Sequence, residues 1–276
     1  LQVELPNFGN PYVTPSHPDY DPVLDAALHA QAEKVLTTYG NHPSFLLFSV
    51  GNEMTGEIAA YEALLRALKP LRPDILLTQG TNNFLADPQV SRQDDFWVIM
   101  RTSQTDNIRD SFSHADLPLG FLQTEGAATT DYDFNAAARR SPVPLIAHEV
   151  GQYEISPRLA EEDQYQGPVR STALPVFRQR LKDAGLLHQA DDFVQASGAL
   201  SVLCYRAEIE ALLRSGELTG FQLLDIMDFP GQATALVGVL DSFMESKGLL
   251  TPEAWRRFCA PQVLLARFPR YTYTAG

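Results

Sequence analysis

An α/β fold of the TIM-type (β/α) barrel class is what the sequence predicts, and three observations predict it. Apolar runs of strand length alternate with longer segments of helical periodicity, the pattern of a parallel sheet covered by helices. Two of those runs, Phe45-Leu46-Leu47-Phe48-Ser49-Val50 and Pro144-Leu145-Ile146-Ala147, stop abruptly in polar residues, as strands do at the functional face of a parallel barrel. The chain has 276 residues, 45% of them hydrophobic, enough for one full core. Residues 1–276 are therefore read as a single barrel domain.

The elements follow in order. Leu1-Gln2-Val3-Glu4-Leu5 reads as a strand already under way, without an initiating Met or the basic start of a signal peptide, so the biological start is expected to lie outside these residues. Asp21 offers an N-cap and Pro22 a first helical position for a helix carrying Leu24, Leu28, Ala32 and Leu36, with Gly40 as its stop. A strand at 45–50, a helix at 58–68 and strands at 75–78 and 96–100 come next. A long irregular stretch holding Asn107, Arg109, His114 and Glu125 leads to the strand ending at Glu149. Helices are expected over 171–184 and 191–213, a last strand over 220–229, and a final helix capped by Thr251 with Pro252 behind it. This gives about six of the eight strands that a complete barrel needs. If the glutamates lie on the fourth and seventh strands, the first two are absent. The expectation is an incomplete barrel whose open edges are covered by another segment or by a second copy of the chain in a homo-oligomer.

The net charge of −13 argues against nucleic acid, where a basic stripe is expected. No apolar run approaches the roughly 20 residues needed to span a bilayer. Cys204 and Cys259 have no short spacing and read as two buried thiols. There is no Gly-x-Ser-x-Gly elbow, phosphate loop, dinucleotide fingerprint or His-Glu-x-x-His metal pattern. What stands out is Glu53 and Glu149, each at the polar end of an apolar strand. Two carboxylates delivered to one barrel face are the minimum equipment for breaking a glycosidic bond, which makes this chain a candidate glycosidase.

Those residues also carry a resemblance. Gly51-Asn52-Glu53 after an apolar strand resembles the acid/base signature of the clan that includes family 2 glycoside hydrolases, the group of β-galactosidases, β-glucuronidases and β-mannosidases. His148-Glu149-Val150-Gly151-Gln152 occupies the place of the nucleophile strand. The stretch from Gly198 through Cys204-Tyr205-Arg206 to Asp228-Phe229-Pro230-Gly231-Gln232 is similar to a bacterial β-galactosidase-like branch. The likeness covers nearly the whole chain, from the third barrel strand onward. The accessory β-sandwich domains usual in the family have no counterpart here, and the His-Glu-Val-Gly-Gln wording differs from that of the best-known β-galactosidases.

The resemblance implies a retaining exo-β-glycosidase, with β-galactosidase as the first expectation. β-Glucuronidase, β-mannosidase and a non-catalytic carbohydrate-binding barrel remnant are the alternatives. Glu53 would be the general acid and later the base, and Glu149 the nucleophile, with Glu125 as its rival. Asn52 would hydrogen-bond the sugar 2-hydroxyl. His148 alternates away from Glu149 on an ideal strand and reads either as a sugar ligand or as barrel wall. Tyr153 and Trp97 are candidates to stack on a sugar or to pack in the core. Arg101 is a candidate partner of Glu149. Asp225 and Asp228 would bind hydroxyls or cap, and His42 reads as a turn residue. The expected partner is an oligosaccharide or glycoside; no organic cofactor or metal is expected. Relatives suggest export from a bacterium, to the periplasm or beyond.

Overall fold

The computed structural model describes residues 1–9, 11–81, 88–109, 129–168, 170–229, 231–232 and 235–275. Strand β1 (Gln2–Glu4) is followed by the short β2 (Pro11–Tyr12) and helix α1 (Pro22–Tyr39). Next come β3 (Leu47–Ser49), β4 (Thr55–Gly56), α2 (Ile58–Leu68), β5 (Leu76–Thr78) and β6 (Trp97–Ile99). The second half contains α3 (Asn135–Ala138), β7 (Leu145–Val150), α4 (Ala173–Asp183), α5 (Ala190–Arg214), β8 (Gly220–Leu223) and α6 (Pro252–Arg256).

Local signals account for the helix ends. The Asp21 carboxylate accepts from the Val23 and Leu24 amides, filling donors that the first turn leaves open. Leu28, Ala32 and Leu36 then bury one stripe of α1. α2 buries Ala60, Tyr61, Leu64, Leu65 and Leu68, the spacing of a helix face against a sheet. Thr251 caps α6 through a bond from Ala254 N, as its position before Pro252 suggests.

All the long strands pair in parallel, in two separate sheets ordered β1-β3-β5 and β6-β7-β8, with β2 and β4 forming a small parallel pair of their own. The six expected strands are present and parallel, and among the described residues they form two sheets and no closed barrel. Between β5 and β6 the carboxylates of Asp94 and Asp95 replace the ladder, accepting from Gln79 N at 2.6 Å and Leu77 N at 3.0 Å. On the other side, β8 meets β1 through a side-chain bond, Gln222 Nε2 to Gln2 Oε1 at 2.8 Å. Eight staggered strands set the closure of a barrel of this kind, and six strands of these lengths leave two seams that side chains bridge.

The sheets have separate cores. α1 and α2 pack on the first through Leu36, Phe48, Met54, Leu64 and Leu77. The second is covered by α3 and the C-terminal turns of α5 through Ile99, Phe134, Ala147, Ala211 and Leu212. The middle strands, β3 and β7, carry the two glutamates at their C-terminal ends. Among the described residues, no helix is long and apolar enough to cross a membrane. Both cysteines are free and half-buried.

Candidate active site

Strand β3 ends at Ser49, and the next residues are threaded through a tight passage. A side chain at Gly51 would collide with the Asn7 carbonyl, so only glycine lets the chain pass β1. Asn52 N then donates to Asn7 O at 2.9 Å, and Asn52 O accepts from Gly9 N. Glu53 takes a left-handed conformation, φ 52°, held by a bond from its amide to Thr81 Oγ1 at 2.6 Å.

Strand β7 ends in the same way. Glu149 has φ 55°, and the pairing with β8 shifts register between Ala147 and Val150. An irregularity of this kind breaks strict alternation and re-aims side chains. His148 and Glu149, neighbours that an ideal strand would send to opposite faces, therefore come together: His148 Nε2 lies 3.4 Å from Glu149 Oε1. A non-glycine residue held left-handed costs roughly 1–3 kcal/mol, and such residues cluster at functional sites. Here both strand-tip glutamates adopt it.

A side-chain chain joins the two tips. His148 Nε2 lies 3.1 Å from Asn52 Oδ1, which also accepts from Thr81 Oγ1 at 2.8 Å. His148 Nδ1 lies 3.2 Å from Gln222 Oε1 on β8, and Gln222 reaches Gln2 on β1. The network thus spans both sheets. With its carbonyl oxygen committed, Asn52 keeps its amide N–H groups as the available contribution to a ligand.

Glu149 is held ionised. Burial pushes its pKa up, but the bond and charge of His148 and the Arg109 guanidinium outweigh it, and the pKa ends below the ordinary carboxylate value. Arg109, 2% exposed, donates from Nη1 to the Glu149 carbonyl at 2.6 Å and faces Glu149 Oε2 at 3.4 Å. Glu4, at the end of β1, belongs to the same surroundings. Burial raises its pKa, with Glu149 adding to the rise and His148 opposing it.

The other expected residues are placed differently. Arg101 does not make the ion pair that Arg109 makes with Glu149. The chain doubles back, with an Arg101–Asn107 antiparallel bridge and Ile108 N bonded to Met100 O, returning residue 109 to the level of the strand tip. Trp97 is packed in the core of the second sheet, 2% exposed, and presents no face to a sugar. Asp228 is buried and paired with Lys247 at 2.7 Å, accepting from Gly238 N as well. The paired part of β8 ends at Leu223, so Asp228 belongs to the loop beyond it. Tyr153 donates its hydroxyl to Glu208 and packs edge-on against Tyr205. Glu125 and His114 lie outside the described residues. Among the described residues, no group of three or more His, Cys, Asp or Glu is disposed to hold a metal.

Thr81, Arg109 and Gln222 were not among the sequence candidates. Arg109 had a weak signal, a cation soon after a predicted strand end. Thr81 and Gln222 had none, because their roles depend on contacts between separate strands.

Two expected results follow from these charges. Breaking a buried pair is costly, about 3–5 kcal/mol, so Arg109→Met is expected to destabilise the fold by that order at pH 7. Glu149 has a depressed pKa, so its contacts stabilise above the ordinary carboxylate range and are lost as the pH falls through the folded value. The loss in Arg109→Met should therefore shrink from pH 7 towards pH 4 in thermal melts; equal losses would contradict the assignment.

Glu161 has the opposite sign. It is 3% exposed, and burial, with Asp228 and Asp241 nearby, raises its pKa from 4.5 to about 7. Its neutral form favours the fold below the unfolded pKa, and that advantage, up to about 3 kcal/mol, is lost as the pH rises through about 7. Glu161→Gln is expected to melt higher than the parent at pH 8 and to differ little at pH 4.5. A melting difference independent of pH would contradict this.

Comparison with known proteins bears on the fold. By sequence, the chain matches no protein-family model and no curated protein. By structure, it is similar to a β-glucuronidase from Parabacteroides merdae with glycerol in its active site, at a TM-score of 0.52 and 13% identity over 93% of this chain and 28% of that one. It is also similar to a family 2 β-galacturonidase from Eisenbergiella tayi bound to galacturonate, at a TM-score of 0.51 and 12% identity over 90% of this chain and 39% of that one. The fold is similar to part of that of a family 2 glycoside hydrolase. A β-glucuronidase from Dictyoglomus thermophilum gives a TM-score of 0.50 and 16% identity over 83% of this chain and 34% of that one. The chain spans about a third of the length of these enzymes, and at such identities the likeness is one of fold.

Proposed function

We propose that this chain carries the catalytic pair of a retaining, exo-acting β-glycosidase. One observation carries the reading. The glutamates at the tips of the two middle strands are both left-handed, their neighbours Asn52 and His148 are bonded to each other, and Glu149 is kept ionised. A carboxylate nucleophile needs that ionisation.

In this reading Glu53 protonates the glycosidic oxygen as the Glu149 carboxylate attacks the anomeric carbon from the opposite face. The carbon–oxygen bond breaks, the leaving alcohol departs with the Glu53 proton, and an ester joins the sugar to Glu149. Water, losing a proton to Glu53, then attacks that ester, releasing the sugar with retained configuration and restoring both groups. The mechanism requires carboxyl groups about 5–5.5 Å apart. Asn52 N–H donates to the sugar 2-oxygen, and His148 and Arg109 hold the nucleophile.

β-Galactosides are the first substrates to try, on the sequence resemblance. A uronide is the second reading, since two of the structures described above are β-glucuronidases and one a β-galacturonidase. A panel of nitrophenyl β-glycosides, including the galactoside, mannoside and glucuronide, tests both. Release of nitrophenol from one of them supports the proposal and names the glycone. No release from any by folded protein overturns it in favour of a carbohydrate-binding remnant.

A further inference from the structure

The turn that follows the nucleophile is built against a buried carboxyl group on helix α5. Glu208 is 0% exposed, and a fully buried carboxylate is costly unless its bonds are satisfied. Its Oε2 accepts from Gly151 N at 3.1 Å and from the Tyr153 hydroxyl at 3.0 Å. Gly151 has φ 91°, and a side chain there would collide with the Tyr205 ring. Tyr205, one helical turn before Glu208, is anchored by its hydroxyl to Val237 O at 2.8 Å. The Val150 carbonyl is held by Leu224 N at 2.9 Å. The backbone just beyond Glu149 is thus clamped from α5 and from the residue that follows β8, while nothing in the catalytic scheme above uses Glu208.

We infer that Glu208 is a positioning residue: by holding the Gly151 amide and the Tyr153 hydroxyl, it fixes the strained turn that sets Glu149 against His148 and Arg109. The inference rests on the glycosidase reading only for its kinetic consequence. A carboxyl group in a buried position is otherwise a poor choice for packing, whereas one oxygen taking two donors locks two points of one turn.

The sign of the effect on Glu149 separates positioning from charge. Glu149 is faced by His148 on its own strand, Arg109 from the segment after β6 and Glu4 from β1. Loss of the Glu208 carboxyl acting only through its charge would lower the Glu149 pKa or leave it unmoved. Releasing the turn would weaken the His148 and Arg109 contacts and raise it towards the ordinary value of about 4.3.

The test is carbon-13 NMR titration of the glutamate carboxyls in the whole chain, with Glu149 assigned through Glu149→Gln. Glu208→Met, similar in volume but without an acceptor, is expected to raise the Glu149 pKa; Glu208→Gln, which keeps an acceptor, should leave it near the parent value. On a glycoside that the parent hydrolyses, Glu208→Met should lose about a hundredfold in kcat, as a misplaced group does, with KM nearly unchanged. A purely structural Glu208 would lower the melting temperature and leave the Glu149 titration where it was; that result overturns the inference. Should Glu208→Met not fold, Glu208→Asp, which withdraws the carboxylate by one methylene, must show the same upward direction or the inference fails. If the parent hydrolyses none of the panel, the glycosidase reading falls and the titration alone decides the positioning role.

Discussion

Glu149→Gln is expected to abolish hydrolysis, with a loss on the order of 10⁴-fold or more, as removal of a nucleophile does. The amide is nearly isosteric, so the fold should persist, and the reason for the loss is chemical. A carboxamide cannot form the glycosyl ester, and it cannot supply the negative charge that faces the developing oxocarbenium ion. The substitution also removes the carboxylate charge that faces the buried Arg109 guanidinium. A drop in melting temperature is therefore expected beside the loss of turnover. Initial-rate assays on the best nitrophenyl glycoside, with circular dichroism to establish folding, would check both. Residual activity above a tenth of the parent in folded protein would remove Glu149 from the nucleophile's role.

Glu53→Gln is the second large effect, and its pattern matters more than its size. Loss of a general acid costs about 10²–10⁴-fold, and the cost depends on how much help the leaving group needs. A dinitrophenyl glycoside, whose phenolate leaves unaided, should lose little in the first step, whereas an alkyl glycoside should lose nearly the whole amount. The basic limb of the kcat/KM profile should flatten, because the group that must be protonated is gone. Equal losses across leaving groups, or an unchanged basic limb, would indicate that Glu53 supports the strand tip instead of transferring a proton. Its left-handed backbone and bond to Thr81 make that alternative concrete.

The parts of the molecule legible in the sequence are those decided by neighbours in the chain. The α1 cap at Asp21, the apolar face of α2 and the abrupt ends of β3 and β7 are local patterns, and each appears close to where the residues put it. The glutamates could be picked out for the same reason, since an acid after an apolar run is visible without knowing the fold. What was not legible depends on departures from regularity. His148 faces Glu149 because β7 breaks its alternation, and Arg109 replaces Arg101 because the chain folds back between them. Trp97 reads as a possible ligand platform, though most aromatics in such a fold are core, and packing decides for core. Asp228 was misplaced because β8 is shorter than its apolar pattern, and the loop beyond it carries the residue to Lys247. The missing closure could be counted from the strands, but the split into two sheets could not, because its seams are bridged by the Asp94, Asp95 and Gln222 side chains.

The most direct test of the account is covalent trapping. A 2-deoxy-2-fluoro glycoside with a dinitrophenolate leaving group, carrying the sugar that the panel identifies, should slow both steps while still allowing the first. Peptide mass spectrometry after digestion is predicted to find one fluorosugar per chain, attached as an ester to Glu149. Attachment to Glu125, or no adduct on protein that turns over the parent glycoside, would contradict the account.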